Sequence, residues 1–316
     1  MNLLNNVETA LLKKAGLTNK EIIKIANSIE AFKEYKRILG QIPKDTAPNL
    51  EDLYMLIGTT YFRENNIYDA LDYYKKCGDI CEKKLPKNDP DLASLYVRIG
   101  IVSYSLEEYV QALDYYKKSR IIFQQILPPN HIELANLYLN IGNVYSALED
   151  YVRALNYYKK CKIIREKALS EDDSQLAIIY TYMGDVYNYT EDCAQSIEYY
   201  QKSIAIYEKT LPPDHIELAD LYMNIGSVHV TLKEYAKALD YYEKSRAVFE
   251  KKQPPDYFRL VNVYFGMGAI FSCKEQYEEA RIYTQKAIAI TKKNLPDNPK
   301  LLQQLQQLND FINENL

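Results

Sequence analysis

The chain of 316 residues has no tryptophan, only three histidines, and little glycine or proline (10 and 12 residues). It also lacks a long apolar run. A membrane-spanning helix needs roughly 18 or more consecutive apolar residues, so none is expected. The opening stretch MNLLNNVETALLKKAGLTNK has no basic segment ahead of an apolar core, and no secretory leader is read there. Charge of one sign is missing too. With 39 Lys and Arg against 43 Asp and Glu the net charge is −4, which gives no reason to expect nucleic acid or an anionic membrane as partner. Five cysteines (Cys77, Cys81, Cys161, Cys193, Cys273) form no framework spacing, so a reduced, cytoplasmic protein is expected. No phosphate loop, nucleophile elbow or HExxH occurs, and no pair of carboxylates stands out. Neither an enzyme, a cofactor nor a metal site is therefore predicted.

What little glycine there is falls in order. Gly58, Gly100, Gly142, Gly184, Gly226 and Gly268 are each 42 residues apart, and the prolines fall in the junctions between these units, as in Pro128-Pro129 and Pro212-Pro213. A fixed period in both residues is the mark of stacked supersecondary units. At 47% apolar and 26% charged the chain is that of a folded protein, and its length exceeds the ~250–300 residues that one core usually serves.

Each unit reads as two helices. Leu stands eight residues before each Gly, Tyr four before it (Tyr54, Tyr96, Tyr138, Tyr180, Tyr222, Tyr264), and Ile or Met one before it. These offsets share one face of an amphipathic helix A of about 14 residues. Twelve after each Gly comes a small residue, Ala70, Ala112, Ala154, Ser196, Ala238 or Ala280, followed by a Tyr pair such as Tyr157-Tyr158. The sixth unit departs, with Tyr283-Thr284. A second small residue follows seven on: Cys77, Ser119, Cys161, Ser203, Ser245 or Ala287. This is helix B, about 18 residues long, in which small residues allow close helix crossing and aromatic knobs fill the adjacent space. Asn88 with Asp91, Asn130 with Glu133, Asp172 with Gln175 and Asp214 with Glu217 have the spacing of a capping box at the start of helix A.

The pattern aromatic-x-x-Ile-Gly-x-x-Tyr, then Ala-x-x-Tyr-Tyr, resembles the tetratricopeptide repeat. Its 42-residue period and junctions such as LPPDHIELA are similar to the repeats of kinesin light chains. The resemblance implies an all-α, right-handed α-solenoid of six helix-turn-helix repeats (51–84, 93–126, 135–168, 177–210, 219–252, 261–294) within residues 49–296. Residues 1–48 are expected to form N-terminal capping helices. One helix, capped by Thr18 and Glu21, runs to about Leu39, with Ser28, Phe32 and Ile38 in helix-B register and Tyr35 out of pattern; a shorter one carries Leu3, Leu4, Val7, Leu11 and Leu12. Residues 297–316 are expected to form a C-terminal capping helix, Leu302 and Leu305 inward and Gln303, Gln304, Gln307, Asn309 and Asn313 towards solvent.

The resemblance also implies a function: a non-enzymatic adaptor or scaffold that binds a peptide segment of another protein in the concave groove lined by helices A. On this chain that surface takes in Asp52, Arg63, Arg98, Asn136, Asn140, Asn143, Tyr182, Asp185, Asn188, Asp220, Asn224 and Asn262. Asparagine both donates and accepts, which suits the backbone of an extended peptide. The middle of the groove holds Asp185 and Asp220 and no Lys or Arg of the set, which favours a peptide neutral or basic at its centre. Capture of a C-terminal carboxylate, as in some co-chaperones, is disfavoured by Val97, Leu139, Thr181 and Met223. A kinesin-light-chain-like cargo adaptor is one alternative, weakened by the lack of a heptad run ahead of the repeats. The regulatory part of an enzyme system is another. With no heptad seam, a monomer is expected. His131 and His215 recur at one repeat position two units apart and read as junction residues. His229 stands where other units carry Tyr61, Tyr145, Tyr187 or Phe271, and reads as core.

Overall fold

The computed structural model of the chain describes residues 12–22, 49–168, 170 and 173–316. Among these residues the architecture is all-α. Helix A and helix B alternate: α1 (Leu50–Arg63) and α2 (Ile67–Lys84), α3 (Pro90–Ser105) and α4 (Tyr109–Ile126), α5 (Ile132–Ala147) and α6 (Tyr151–Ala168), α7 (Ser174–Tyr189) and α8 (Cys193–Thr210), α9 (Ile216–Thr231) and α10 (Tyr235–Lys251), α11 (Tyr257–Cys273) and α12 (Tyr277–Asn294), ending in α13 (Pro299–Glu314). The fold is thus the helical-repeat solenoid that the 42-residue period predicts. The chain forms two compact units, Met1–Ile164 and Arg165–Leu316.

Within each unit the periodic residues do the packing. Both small positions of helix B are buried in every repeat. The periodic glycines make room for the second Tyr of the pair: a β-carbon on Gly100 would stand 2.4 Å from the Tyr116 ring, and one on Gly184 would stand 2.7 Å from Tyr200. In the sixth repeat Thr284 takes that ring's place against Gly268. A further buried row lies five residues before each Gly, at Leu53, Leu95, Leu137, Ile179, Leu221 and Val263, and continues one period on at Leu305 of α13. Each such side chain contributes about 1.5–3 kcal/mol of apolar burial.

The turn between helices A and B is built alike in all six repeats. Asn65, Glu107, Glu149, Glu191, Lys233 and Glu275 adopt φ of 58–61°. After α5, Glu149 N–H donates to Ser146 and Asp150 N–H donates to the Tyr145 carbonyl. These paired bonds close the helix as a Schellman turn, with a non-glycine residue in the left-handed position.

Helix A starts one residue later than the sequence spacing suggests. The caps are Asp89, His131, Asp173 and His215, each accepting from the N–H two residues on, not Asn88, Asn130 or Asp214; Asp172 lies outside the described residues. His131 and His215 thereby act at the junctions as read, their Nδ1 atoms accepting from Glu133 and Glu217 N–H.

At the N-terminus the Thr18–Glu21 capping box is present: Glu21 accepts from Thr18 N–H at 2.8 Å and Thr18 Oγ1 accepts from Glu21 N–H at 3.3 Å. Leu12 is buried. Leu3, Leu4, Val7, Leu11, Ser28, Phe32, Tyr35, Ile38 and Leu39 lie outside the described residues. In α13, Leu301, Leu305 and Ile312 are buried, Leu302 and Asn309 are half-buried, and Gln303, Gln304, Gln307 and Asn313 face solvent. Among the described residues no helix is long and apolar enough to cross a membrane.

Candidate functional site

Aromatic side chains dominate each repeat beneath its surfaces. In the third repeat Tyr157 stacks on Tyr145 (ring centroids 5.6 Å) and tilts against Tyr138 (6.0 Å). His229 takes the place of Tyr145 in the fifth repeat, buried and stacked on Tyr241 at 5.5 Å, as read from the sequence. A lysine follows each Tyr pair or its equivalent: Lys76, Lys118, Lys160, Lys202, Lys244 and Lys286 each hold their ammonium 4.9–5.6 Å from the first ring. This row was legible as an invariant Lys eighteen residues after each Gly and was missed. It is a cation–π contact within the repeat.

The Tyr four before each Gly joins repeats. Its hydroxyl donates to a Glu on the preceding helix B: Tyr96 to Glu82 at 2.8 Å, Tyr180 to Glu166 and Tyr222 to Glu208 at 2.9 Å, and Tyr264 to Glu250. In the third repeat the polarity reverses, and Gln124 donates to Tyr138 at 3.3 Å. Not all these rings are buried alike. Tyr54, Tyr96 and Tyr264 are buried, whereas Tyr138, Tyr180 and Tyr222 are half-buried.

The helix-A residues assigned to a peptide groove fall into two groups. In the first unit Asp52, Arg63 and Arg98 are exposed. Asp52 and Arg98 line a cavity of about 410 Å³ together with Met55, Cys81, Lys84 and Leu95, roofed by the Glu51–Lys84 ion pair at 2.9 Å. Asn136, Asn140 and Asn143 are half-buried, and Asn143 accepts from the Tyr158 hydroxyl at 2.8 Å. Cys77 and Cys81 share a helix face with sulfurs 3.8 Å apart, and burial pushes both thiols up.

In the second unit Tyr182, Asp185, Asn188, Asp220, Asn224 and Asn262 are all half-buried. Asp185 accepts from Tyr200 at 2.7 Å and from Asn224 at 3.4 Å. Burial pushes its carboxyl up to about 6, against the opposing hydrogen bond from Tyr200. Asp220 pairs with Arg259 at 2.6 Å. The expectation of an acidic centre without cations needs correction here. Arg259 stands outside the periodic groove positions, at the start of α11, yet it neutralises Asp220; no repeat pattern marks it. Asn143 and Asn224 are likewise engaged within the fold. Among the described residues no cluster of three metal-ligating side chains occurs.

The tetratricopeptide repeat family profile matches residues 91–167, 175–251 and 217–293, and a second profile of the same repeat matches 51–83. The chain belongs to the tetratricopeptide repeat family. Among solved structures, the apo form of RapI superposes with a TM-score of 0.61 at 14% identity, covering 84% of this chain and 98% of that one. BtubC (BKLC) from P. vanneervenii gives 0.58 at 17% identity, covering 76% and 91%. The kinesin light chain TPR-like repeats from Podosopora anserina give 0.56 at 14%, covering 63% and 96%. At these identities the likeness is one of fold. No curated protein matches in sequence. The tetratricopeptide fold of this chain is that of a protein-interaction scaffold.

Proposed function

We propose that the chain is a non-enzymatic adaptor that binds a peptide segment of another protein on its helix-A face. The supporting observation is the cavity between α1, α2 and α3, where Asp52 and Arg98 are exposed and Arg98 makes no ion pair among the described residues. An unspent guanidinium beside an apolar floor of Met55 and Leu95 suits a peptide carrying an acidic residue next to an apolar one. Asn140, half-buried, extends the polar face of the first unit. The adaptor acts as a cytoplasmic monomer, and no nucleic acid, membrane or cofactor enters its action.

The test is capture of a partner on the immobilised chain, mapping of its bound peptide, and titration calorimetry. Arg98→Glu is expected to weaken binding about tenfold or more, since a rim charge becomes repulsive. Unchanged affinity in Arg98→Glu and Asn140→Ala would remove the helix-A face from the mechanism. A kinesin-light-chain-like cargo adaptor is the second reading, favoured by the 42-residue period and the long helix B. Light scattering bears on it, because a stable dimer at micromolar concentration contradicts the monomer and favours a motor-associated subunit.

A further inference from the structure

The turns between helices A and B form a second surface, distinct from the helix-A face. In the first unit the residue ten after each periodic Gly is large, apolar and thrust into solvent: Tyr68 is 77% exposed, Val110 73% and Val152 82%. Such residues at one repeat position make a row rather than scattered singles. Between Val110 and Leu148 of the next turn lies a cleft of about 710 Å³, whose walls include Tyr109 and Tyr115 and whose rim carries Glu107 and Glu108. Leu148 is itself 44% exposed.

The charge along this edge is mainly negative, although Lys118, paired with Glu82 at 3.5 Å, also lines the cleft. Its turns hold Glu64 and Asp69, then Glu107 and Glu108, then Glu149 and Asp150. Against them stand Arg63 and Arg153, and Arg153 is tied to Asp150 at 2.5 Å and stacked on Tyr145. The second unit differs at the same positions. Ala194, Ala236 and Glu278 replace the large apolar residues, and Lys233, Lys237 and Lys274 mix with the carboxylates, although Tyr189 and Leu232 remain exposed at its turns. The repeat fold therefore does not require the apolar row, and the carboxylates around it are not a general feature of the turns.

We propose that the turn edge of the first unit is a docking surface for a basic, amphipathic segment of a partner protein. Aliphatic side chains of that segment cover Val110, Leu148 and Val152, and its Lys or Arg residues meet the flanking carboxylates. An anionic membrane is repelled by the same carboxylates. The chain then carries two separate surfaces, and a ligand on the helix-A face does not compete for this one.

The test uses a fluorescent synthetic amphipathic peptide of Lys and Leu, an isomer with the same composition in scrambled order, and the full chain, read by anisotropy. The amphipathic peptide is expected to bind and to weaken with salt. Tyr68→Ser/Val110→Ser/Val152→Ser is expected to lose affinity about tenfold or more, as buried interface anchors do. Ala194→Ser/Ala236→Ser is expected to leave binding unchanged. All substituted residues, the alanines of the control included, are exposed, and far-UV circular dichroism checks that each variant is folded. Failure of the peptide to bind, equal binding of the scrambled isomer, or equal loss in both variants overturns the proposal. Binding to anionic phosphatidylserine vesicles in preference to the peptide also overturns it. Arg98→Glu is expected to leave the affinity for this peptide unchanged, so that this result and the helix-A result are read independently.

Discussion

Tyr158 lies so close against Gly142 that a β-carbon there would stand 2.4 Å from its ring, while the equivalent approach of Tyr242 to Gly226 is 3.1 Å. The same sequence position is thus packed to different tightness in different repeats. Gly142→Ala is expected to destabilise by about 1–3 kcal/mol, because the ring is buried and has nowhere to move. Gly226→Ala is expected to cost less than half as much. Urea denaturation of both variants checks the order.

Asp185 carries a pH dependence whose sign follows from its raised carboxyl. Folding favours the protonated form, so its contribution to stability is fully present below the ordinary carboxylate range and is lost as pH rises through about 6. Asp185→Asn keeps a carbonyl oxygen to accept from Tyr200 and Asn224 and removes the buried charge. At pH 7 the variant is expected to be more stable than the parent by about 1–3 kcal/mol, with the difference vanishing near pH 4. Hydrogen exchange in α7 and α8 at both pH values measures it. A difference that grows towards acid pH contradicts the assignment.

His131 caps α5 through Nδ1, at the position filled by Asp89 in α3 and Asp173 in α7. His131→Ala is expected to cost about 0.5–2 kcal/mol, the usual loss of a cap. His131→Asp is expected to match or exceed the parent, since a carboxylate both accepts the N–H and complements the helix dipole. Thermal unfolding of the pair decides between a capping role and one peculiar to imidazole.

Tyr96 and Tyr138 share a repeat position, but only Tyr96 is buried, at 6% exposure. Tyr96→Ala is expected to cost about 3–5 kcal/mol, and Tyr138→Ala about 1–3 kcal/mol. Because neighbouring repeats interact only locally, exchange protection should fall in the repeats next to the substitution. Equal losses at both sites would contradict the burial difference.

The helices and their packing residues were readable because spacing fixes them: a small residue every 42 positions has one geometric use, and the structure buries Ala112, Ala154 and Cys161 accordingly. The caps were misplaced by one residue because Asn130 and His131 both carry acceptors within reach of the same N–H groups, and only the path of the junction chooses between them. The groove was less legible. Its positions follow from helix phase, but the pairing of Asp220 with Arg259 and of Asn224 with Asp185 joins different repeats, and Arg259 lies outside the groove positions. Residues that look alike along one helix are thus divided between holding neighbours together and facing solvent. The exposed row Tyr68, Val110 and Val152 is periodic too, yet periodicity by itself does not tell an inward residue from an outward one.

The hydrogen bond from the Tyr of one helix A to the Glu of the preceding helix B recurs between the same two positions in the second, fourth, fifth and sixth repeats, with Gln124 in place of the Glu before the third. From the fourth repeat to the sixth, a block of one full period, wherever it is cut, therefore carries one complete set of these partners. An in-frame duplication or loss of 42 residues there recreates the junction it interrupts, with a Tyr again fourteen positions beyond a Glu. Gene-level gain or loss of a unit thus lengthens or shortens the protein without a new interface having to evolve, whereas an insertion of any other length brings together residues that have no contact to make.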